Sequence, residues 1–357
     1  MTAPAGNARI AADALEAFVA GVLAKLGVPP GDAARVARLM VLADLNGYDT
    51  HGVFRLRQYA NRLRDGGFNA AASVQVAVDR GAVGIVDGDN GLGHLAVERA
   101  ADLAIEKADR FGVGWVGVRN GNHAGPASLY VNMVAERDMI GVYGAVSSAN
   151  HVPPFGGVDL LLGSNPIAVA VPAEKSPPFV LDMATTVAAV GKIKALASRG
   201  EPMPVGWMVG KDGQPLTDPN RREEGFLLPI GGPKGYGLAM AIGLLAGPLN
   251  GAAFGSDVVD FSKDTSSPTN TGQFVLALSV EALAGDVAAF KRSVDRIFDE
   301  MRASETLPGH DTVRIPGEGR PATREDRRAN GVPLHPSLVS TLNAIAAEVD
   351  LPPLAAH

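Results

Sequence analysis

The chain has no cysteine in its 357 residues, which removes disulfides, zinc–thiolate sites, iron–sulfur clusters and cysteine nucleophiles together. Basic charge is also short. Lys and Arg number 32 against 38 acidic residues, for a net charge of −6. With no long Lys/Arg block, a nucleic-acid surface is not expected, although a local basic pocket for a phosphorylated cofactor remains compatible with that balance. Long uncharged runs are scarce. One, Gly235 to Ser256, approaches the length of a membrane span but carries six glycines, Pro248 and Asn250. It reads as a buried helix followed by a glycine-rich loop. Asp13 and Glu16 interrupt the first apolar stretch, so no signal peptide and no membrane association are expected. The expected location is the cytoplasm. The rest is globular in balance, 46% hydrophobic and 20% charged, and long enough for two or three structural units.

Apolar spacing predicts helices over 10–26, about 30–45 and 56–63, a helical unit within residues 1–72. The texture then changes. Strands are expected at 74–78, 83–87, 115–118, 140–146, 167–171, 179–182 and 273–280. Helices are expected over 94–110 and 125–137, from near Thr186, from near Gly235, and over 281–303 and 336–349. Residues 73–303 thus form an α/β unit, and 304–357 is expected to pack back on the helical unit, making that unit discontinuous. The polar stretch 252–272 reads as a mobile loop.

The segment Asp49-Thr50-His51-Gly52-Val53-Phe54-Arg55 carries the sharpest chemistry. On a helix, i, i+4 spacing would put His51 and Arg55 on one face, about 5–6 Å apart at Cβ. An imidazole exchanges protons near neutral pH, and a guanidinium grips a carboxylate through paired hydrogen bonds. Together they suit a small 2-oxo or 2-hydroxy acid. The plainer reading, in which His51 packs and Arg55 is solvated, competes on spacing alone.

Gly91-Leu92-Gly93-His94-Leu95-Ala96 matches G-x-G-x-x-A between a strand and a helix. Two carboxylates in the preceding turn, Asp87 and Asp89, oppose a pyrophosphate there. A tight turn with close helix–sheet packing is the expected role. Asn122-His123-Ala124-Gly125-Pro126-Ala127 lies at a strand-to-helix junction, where ligand groups often gather. Gly163-Ser164-Asn165-Pro166 is a turn into a strand, and Asp182-Met183-Ala184-Thr185-Thr186 ends one. Gly231-Gly232-Pro233-Lys234-Gly235-Tyr236-Gly237 is a cationic glycine loop heading an apolar helix, suited to dinucleotide phosphate, though not a Walker A sequence. Pro316-Gly317-Glu318-Gly319-Arg320 precedes a charge run with Arg324, Arg327 and Arg328 that reads as a solvated face.

In order, DTHGVFRLRQY, DGDNGLGH, GNHAGP, GSNP, LDMATT, GGPKGYGL and IPGEGR resemble the malate/L-lactate dehydrogenase family that lacks a Rossmann fold, over roughly residues 8–350. The resemblance implies the L-sulfolactate dehydrogenase-like α/β fold: a mixed, largely antiparallel sheet with helices, plus a discontinuous helical unit. It also implies an NAD or NADP cofactor, a small 2-oxo or 2-hydroxy acid substrate and a homodimer. By the same resemblance His51 is the general acid/base, Thr50 its orienting neighbour and Arg55 the carboxylate ligand. Ser164 is a substrate-side hydroxyl, and Ser147 approaches the nicotinamide. His123, Ala124, Gly125, Pro126, Ala127, Asp182, Met183, Ala184, Lys234, Gly235, Pro316, Gly317, Glu318 and Arg320 are cofactor contacts. No metal site is implied. The resemblance leaves the acid/base role open between His51 and His123.

Three positions depart from the family pattern. Thr50 replaces the usual serine, Gly121 and Ala124 replace commoner Ser and Phe, and Lys192 stands where cyclic-imine reductases of this scaffold use a carboxylate. The last favours a hydroxy acid over an imine substrate. Two rivals from other classes are a metal-dependent hydrolase using some of His51, His94, His123 and His151 with Asp182, and a non-catalytic dimeric binding protein.

Overall fold

A computed structural model describes residues 8–354. The chain opens with β1 (Ala8–Ile10), α1 (Ala12–Lys25), α2 (Pro30–Leu45) and α3 (Leu56–Asp65). Pro30 occupies the first turn of α2, where its missing N–H leaves no hydrogen bond unmade. There follow β2 (Gln75–Arg80), β3 (Val83–Asp87), α4 (Gly93–Phe111), β4 (Val113–Gly121), α5 (Ser128–Ala135), β5 (Met139–Ala145), β6 (Ile167–Val171) and β7 (Phe179–Met183). Next come α6 (Val190–Arg199), β8 (Met208–Gly210), β9 (Gly225–Leu227), α7 (Pro233–Ala246) and β10 (Thr271–Ser279). The last elements are α8 (Val280–Ala284), α9 (Val287–Arg302), α10 (Arg320–Asn330), β11 (Val332–Leu334) and α11 (Pro336–Glu348).

The main sheet runs β2-β3-β4-β10-β5-β6-β7. Only the β3–β4 pair is parallel, joined through α4; all other pairs in this sheet are antiparallel. The mixed, mostly antiparallel α/β fold is therefore the one expected. Strand β10 sits mid-sheet, with Val275 opposite both Val116 and Tyr143. Successive residues of a strand face opposite sides. Val275 accordingly joins a core with Val97 and Ala100 of α4 and Val131 of α5. Its neighbour Phe274 clusters with Ala246 of α7 and stacks on Trp115, ring centroids 4.4 Å apart.

A second core gathers the chain's two ends. β1 pairs antiparallel with β11, Arg9 opposite Pro333. Leu15, Val19, Val36 and Tyr59 share one apolar cluster with Leu334, Leu342 and Ile345.

Three local expectations are corrected. The arginine run after Gly319 is a helix, α10, and its Arg320, Arg324 and Arg327 bind Asp44 and Asn46 at the end of α2. The helix expected over 281–303 breaks at Gly285, whose positive φ ends α8, and Asp286 then caps α9 by accepting from the Ala289 N–H at 2.8 Å. The stretch 252–272 is tethered where a mobile loop is expected. Arg62, wholly enclosed, donates to the carbonyls of Phe261, Asp264, Gly67 and Ser267, and Phe261 is buried beside it.

Candidate active site

Thr50 and His51 lie in a turn, Val53–Arg55 forms one 3-10 turn, and α3 starts only at Leu56. The segment is therefore not the single α-helix that the spacing invites. Gly52 causes the departure. A Cβ at this position would stand 2.2 Å from the Asp44 carboxylate, which is buried and accepts the Val53 N–H at 2.8 Å. Burial pushes the Asp44 carboxyl well above the usual carboxylate range.

The turn still brings the expected groups together. Thr50 Oγ1 lies 2.9 Å from His51 Nδ1, and the Arg55 Nε–H donates to the Thr50 carbonyl at 2.8 Å. Arg55 Nη1 is steadied by Gln58 Oε1 at 2.8 Å. His123, delivered by the loop after β4, stacks on His51 with ring centroids 5.8 Å apart. Burial, followed by the Arg55 charge, brings the His51 imidazole down to about 4. Burial first, then Arg55, His51 and His94, holds His123 well below the ordinary imidazole range. Both rings are neutral near pH 7 in the free protein.

The other motifs are joined to one another by hydrogen bonds. Asp182 at the end of β7 accepts the Ser128 N–H at 2.9 Å, tying it to the Ala124–Ala127 loop. Thr185, just beyond Ala184, donates both its N–H and its hydroxyl to the Ser164 carbonyl at 2.8 Å. Ser164 Oγ is 3.3 Å from Ser147 Oγ. The Thr185 carbonyl in turn accepts the Ile230 N–H at 2.9 Å, placing the Gly231–Gly235 turn alongside. Gly231 and Gly232 both have positive φ there, and exposed Lys234 stands in the first turn of α7. A helix start with a cation beside it forms a natural anion seat. Residue Gly191 of α6 would place a Cβ 3.4 Å from Thr50 Cγ2, so this helix borders the turn from another side.

The 316–320 loop joins at β7, where the Val180 N–H donates to the Pro316 carbonyl at 3.0 Å. A cavity of about 770 Å³ opens beside it, with Tyr48, Val180, Gly317, Arg320, Arg324 and Arg328 among its walls. Arg320 is committed within the protein: it donates to the Asn46 carbonyl at 2.9 Å and lies over the Tyr48 ring. Glu318 pairs with Arg302 at 3.2 Å.

Gly93 of the G-x-G-x-x-A match serves packing. A Cβ on it would stand 2.1 Å from the Asn122 carbonyl oxygen. Arg119, at the end of the next strand, pairs with Asp87 at 3.0 Å. Among the described residues, no three His, Asp or Glu side chains gather as a metal set. Sequence reasoning missed Tyr59 and Phe261, which enclose His123. Tyr59 lies one turn of α3 beyond Arg55, so the periodicity that paired Arg55 with His51 could have found it. Phe261 gave no local signal.

Solved structures share this architecture. The malate dehydrogenase of Pyrococcus horikoshii superposes with a TM-score of 0.90 at 34% identity, covering 99% of both chains. This mixed, mostly antiparallel fold is that of a class of 2-hydroxy-acid dehydrogenases. Malate dehydrogenase of Pyrococcus abyssi is 37% identical over 349 residues (96% of this chain, 95% of the relative). L-sulfolactate dehydrogenase of Methanocaldococcus jannaschii is 39% identical over 337 (94% and 95%). The chain belongs to the malate/L-lactate dehydrogenase family, whose model matches residues 10–343.

Proposed function

We propose that the protein transfers a hydride between NAD(P)H and C2 of a small 2-oxo acid, the reverse reaction oxidising the L-2-hydroxy acid, with malate, lactate and related acids as the substrate class. The observation that carries this reading is the gathering of Thr50, His51, Arg55 and His123 at one turn, beside a second set of hydrogen-bonded motifs that links Ser147, Ser164, Thr185 and Ile230. Arg55 holds the carboxylate. His51, oriented by Thr50, exchanges a proton with the C2 oxygen, and Ser164 offers a hydroxyl on the substrate side. An anionic substrate offsets the Arg55 charge and so favours the protonated form of His51 that reduction requires.

The residues fit a nicotinamide dinucleotide. The start of α7 with Lys234 and Gly235 suits its phosphates. The His123–Ala127 loop sets His123 against His51 and is tied to Asp182, Ser147 lies beside Ser164, and the Pro316–Arg320 loop borders a cavity of about 770 Å³. When bound, the cofactor supplies or accepts the hydride; the protein supplies orientation and the proton. The division of labour proposed here follows the chain: residues 1–72 with 304–357 bring the acid/base turn, and 73–303 brings the cofactor seat, to which the 316–320 loop is added.

No helix among the described residues is long and apolar enough to cross a membrane, in keeping with the proposed cytoplasmic location. Self-association as a homodimer is supported by Leu238, Leu244, Leu245 and Leu249, all exposed along and just after α7.

The test is a panel of 2-oxo acids assayed with NADH and with NADPH on wild type, His51→Ala and Arg55→Lys. His51→Ala should lose about 10²–10⁴ in kcat while still shifting reduced-nicotinamide fluorescence. Arg55→Lys should chiefly raise KM for the acid. Full turnover by His51→Ala would remove His51 from the acid/base role.

A further inference from the structure

The two stacked histidines differ in what their inner nitrogens face. His51 Nδ1 faces the Thr50 hydroxyl, which can donate or accept and so tolerates either protonation state of the ring. His123 Nδ1 faces the Tyr59 hydroxyl at 2.6 Å and, at 3.4 Å, the Gly125 N–H. A backbone N–H only donates. Tyr59 is wholly buried, and His123 Nδ1 is the only partner of its hydroxyl among the described residues. Burial pushes the phenol above its ordinary range, so it keeps its proton. A buried hydroxyl without an acceptor is costly, and Nδ1 is the acceptor available.

We propose that Tyr59 is a positioning residue that fixes His123 as its Nε2–H tautomer, making His123 a hydrogen-bond donor toward the substrate or nicotinamide and leaving proton exchange to His51. This rests on the dehydrogenase reading only for the identity of what Nε2–H meets. The aromatic box holds the arrangement: Tyr59 contacts Phe68, His94 and Phe261 edge-on, and Phe261 also lies against His123. The charged or titratable groups facing His123 are Arg55, His51, His94 and Tyr59, and none of them is a carboxylate that would stabilise a proton on Nδ1. The logic is that of a base whose tautomer is set by its neighbour.

The experiment is long-range ¹H–¹⁵N correlation on the full-length protein labelled with ¹⁵N-histidine, the His123 signals being assigned by their loss in His123→Gln. In wild type, His123 shows the Nε2–H pattern, unchanged between about pH 5 and 8. In Tyr59→Phe it becomes a tautomer mixture, while the other histidine signals keep their positions and report an intact fold. The same variant lowers kcat/KM for 2-oxo acid reduction about 3- to 10-fold. A second ionisation enters its pH–rate profile. A proton on Nδ1 in wild type, or an unaltered tautomer in Tyr59→Phe, overturns the proposal. If the Nε2–H pattern is seen but no 2-oxo acid is turned over, the tautomer assignment stands and the substrate reading fails.

Discussion

His94 occupies the first turn of α4, wholly enclosed, and neither ring nitrogen has a hydrogen-bond partner among the described residues. Burial brings its imidazole from 6.5 down to about 3. Below pH 6.5 the unfolded chain therefore binds a proton at this residue that the folded chain refuses until pH falls to about 3. Its contribution is intact at neutral pH and is lost as the solution is acidified through that window. His51 acts in the same sense toward about 4. His94→Leu removes two buried orphan atoms, a relief on the order of 1–3 kcal/mol before any repacking strain. Thermal melts should show the variant at least as stable as wild type at pH 7, with a shallower loss on acidification; a steeper acid loss would contradict this. The closeness of His51 and Arg55 was legible because it is set by a stretch of five residues. The state of His94 was not, since it depends on Tyr59 and Gly125, brought near only by folding.

Elements carry the site more by close approach than by helix phase. The head of α4 packs against the loop that delivers His123: besides the 2.1 Å clash with Asn122, a Cβ on Gly93 would stand 2.7 Å from the His123 carbonyl oxygen. Backbone cannot yield as a flexible side chain can. Gly93→Ala should cost about 1–3 kcal/mol by overpacking and displace the His123 loop. Turnover should fall more than cofactor binding, as steady-state kinetics and fluorescence titration on one preparation would show; unaltered kinetics would mean that this junction does not position His123. Strands β3 and β6 fell at the expected residues because uninterrupted apolar runs mark them. Helix α10 did not. It buries no residue, so its sequence has no apolar stripe, and its arginines read as solvent-facing. They in fact bind Asn46, Asp44 and Asp49 in and around the turn before His51. Such long-range polar docking leaves no periodic trace.

At the scale of the molecule, α7 uses one face for the sheet and leaves another apolar and uncovered. Ile242 and Ala246 are buried, whereas Leu244, Leu245 and, just beyond, Leu249 are 41–58% exposed. Covering that face with a second copy should give a dimer mass in light scattering at micromolar protein. Leu245→Glu should shift the protein toward monomer and lower its melting temperature by several degrees. A wild type that remains monomeric would remove the homodimer proposal.

The place of β10 has a further consequence for how the chain acquires its shape. Strands β4 and β5 are complete by residue 145, yet they are not neighbours and wait for residues 271–279 to come between them. Until that late segment arrives, two apolar strand edges stand unpaired, open to association with other chains. Closing the gap requires contacts distant in sequence, which slows folding. Nascent chains stalled before residue 271 would be the aggregation-prone species, with the greatest need of chaperone protection during synthesis.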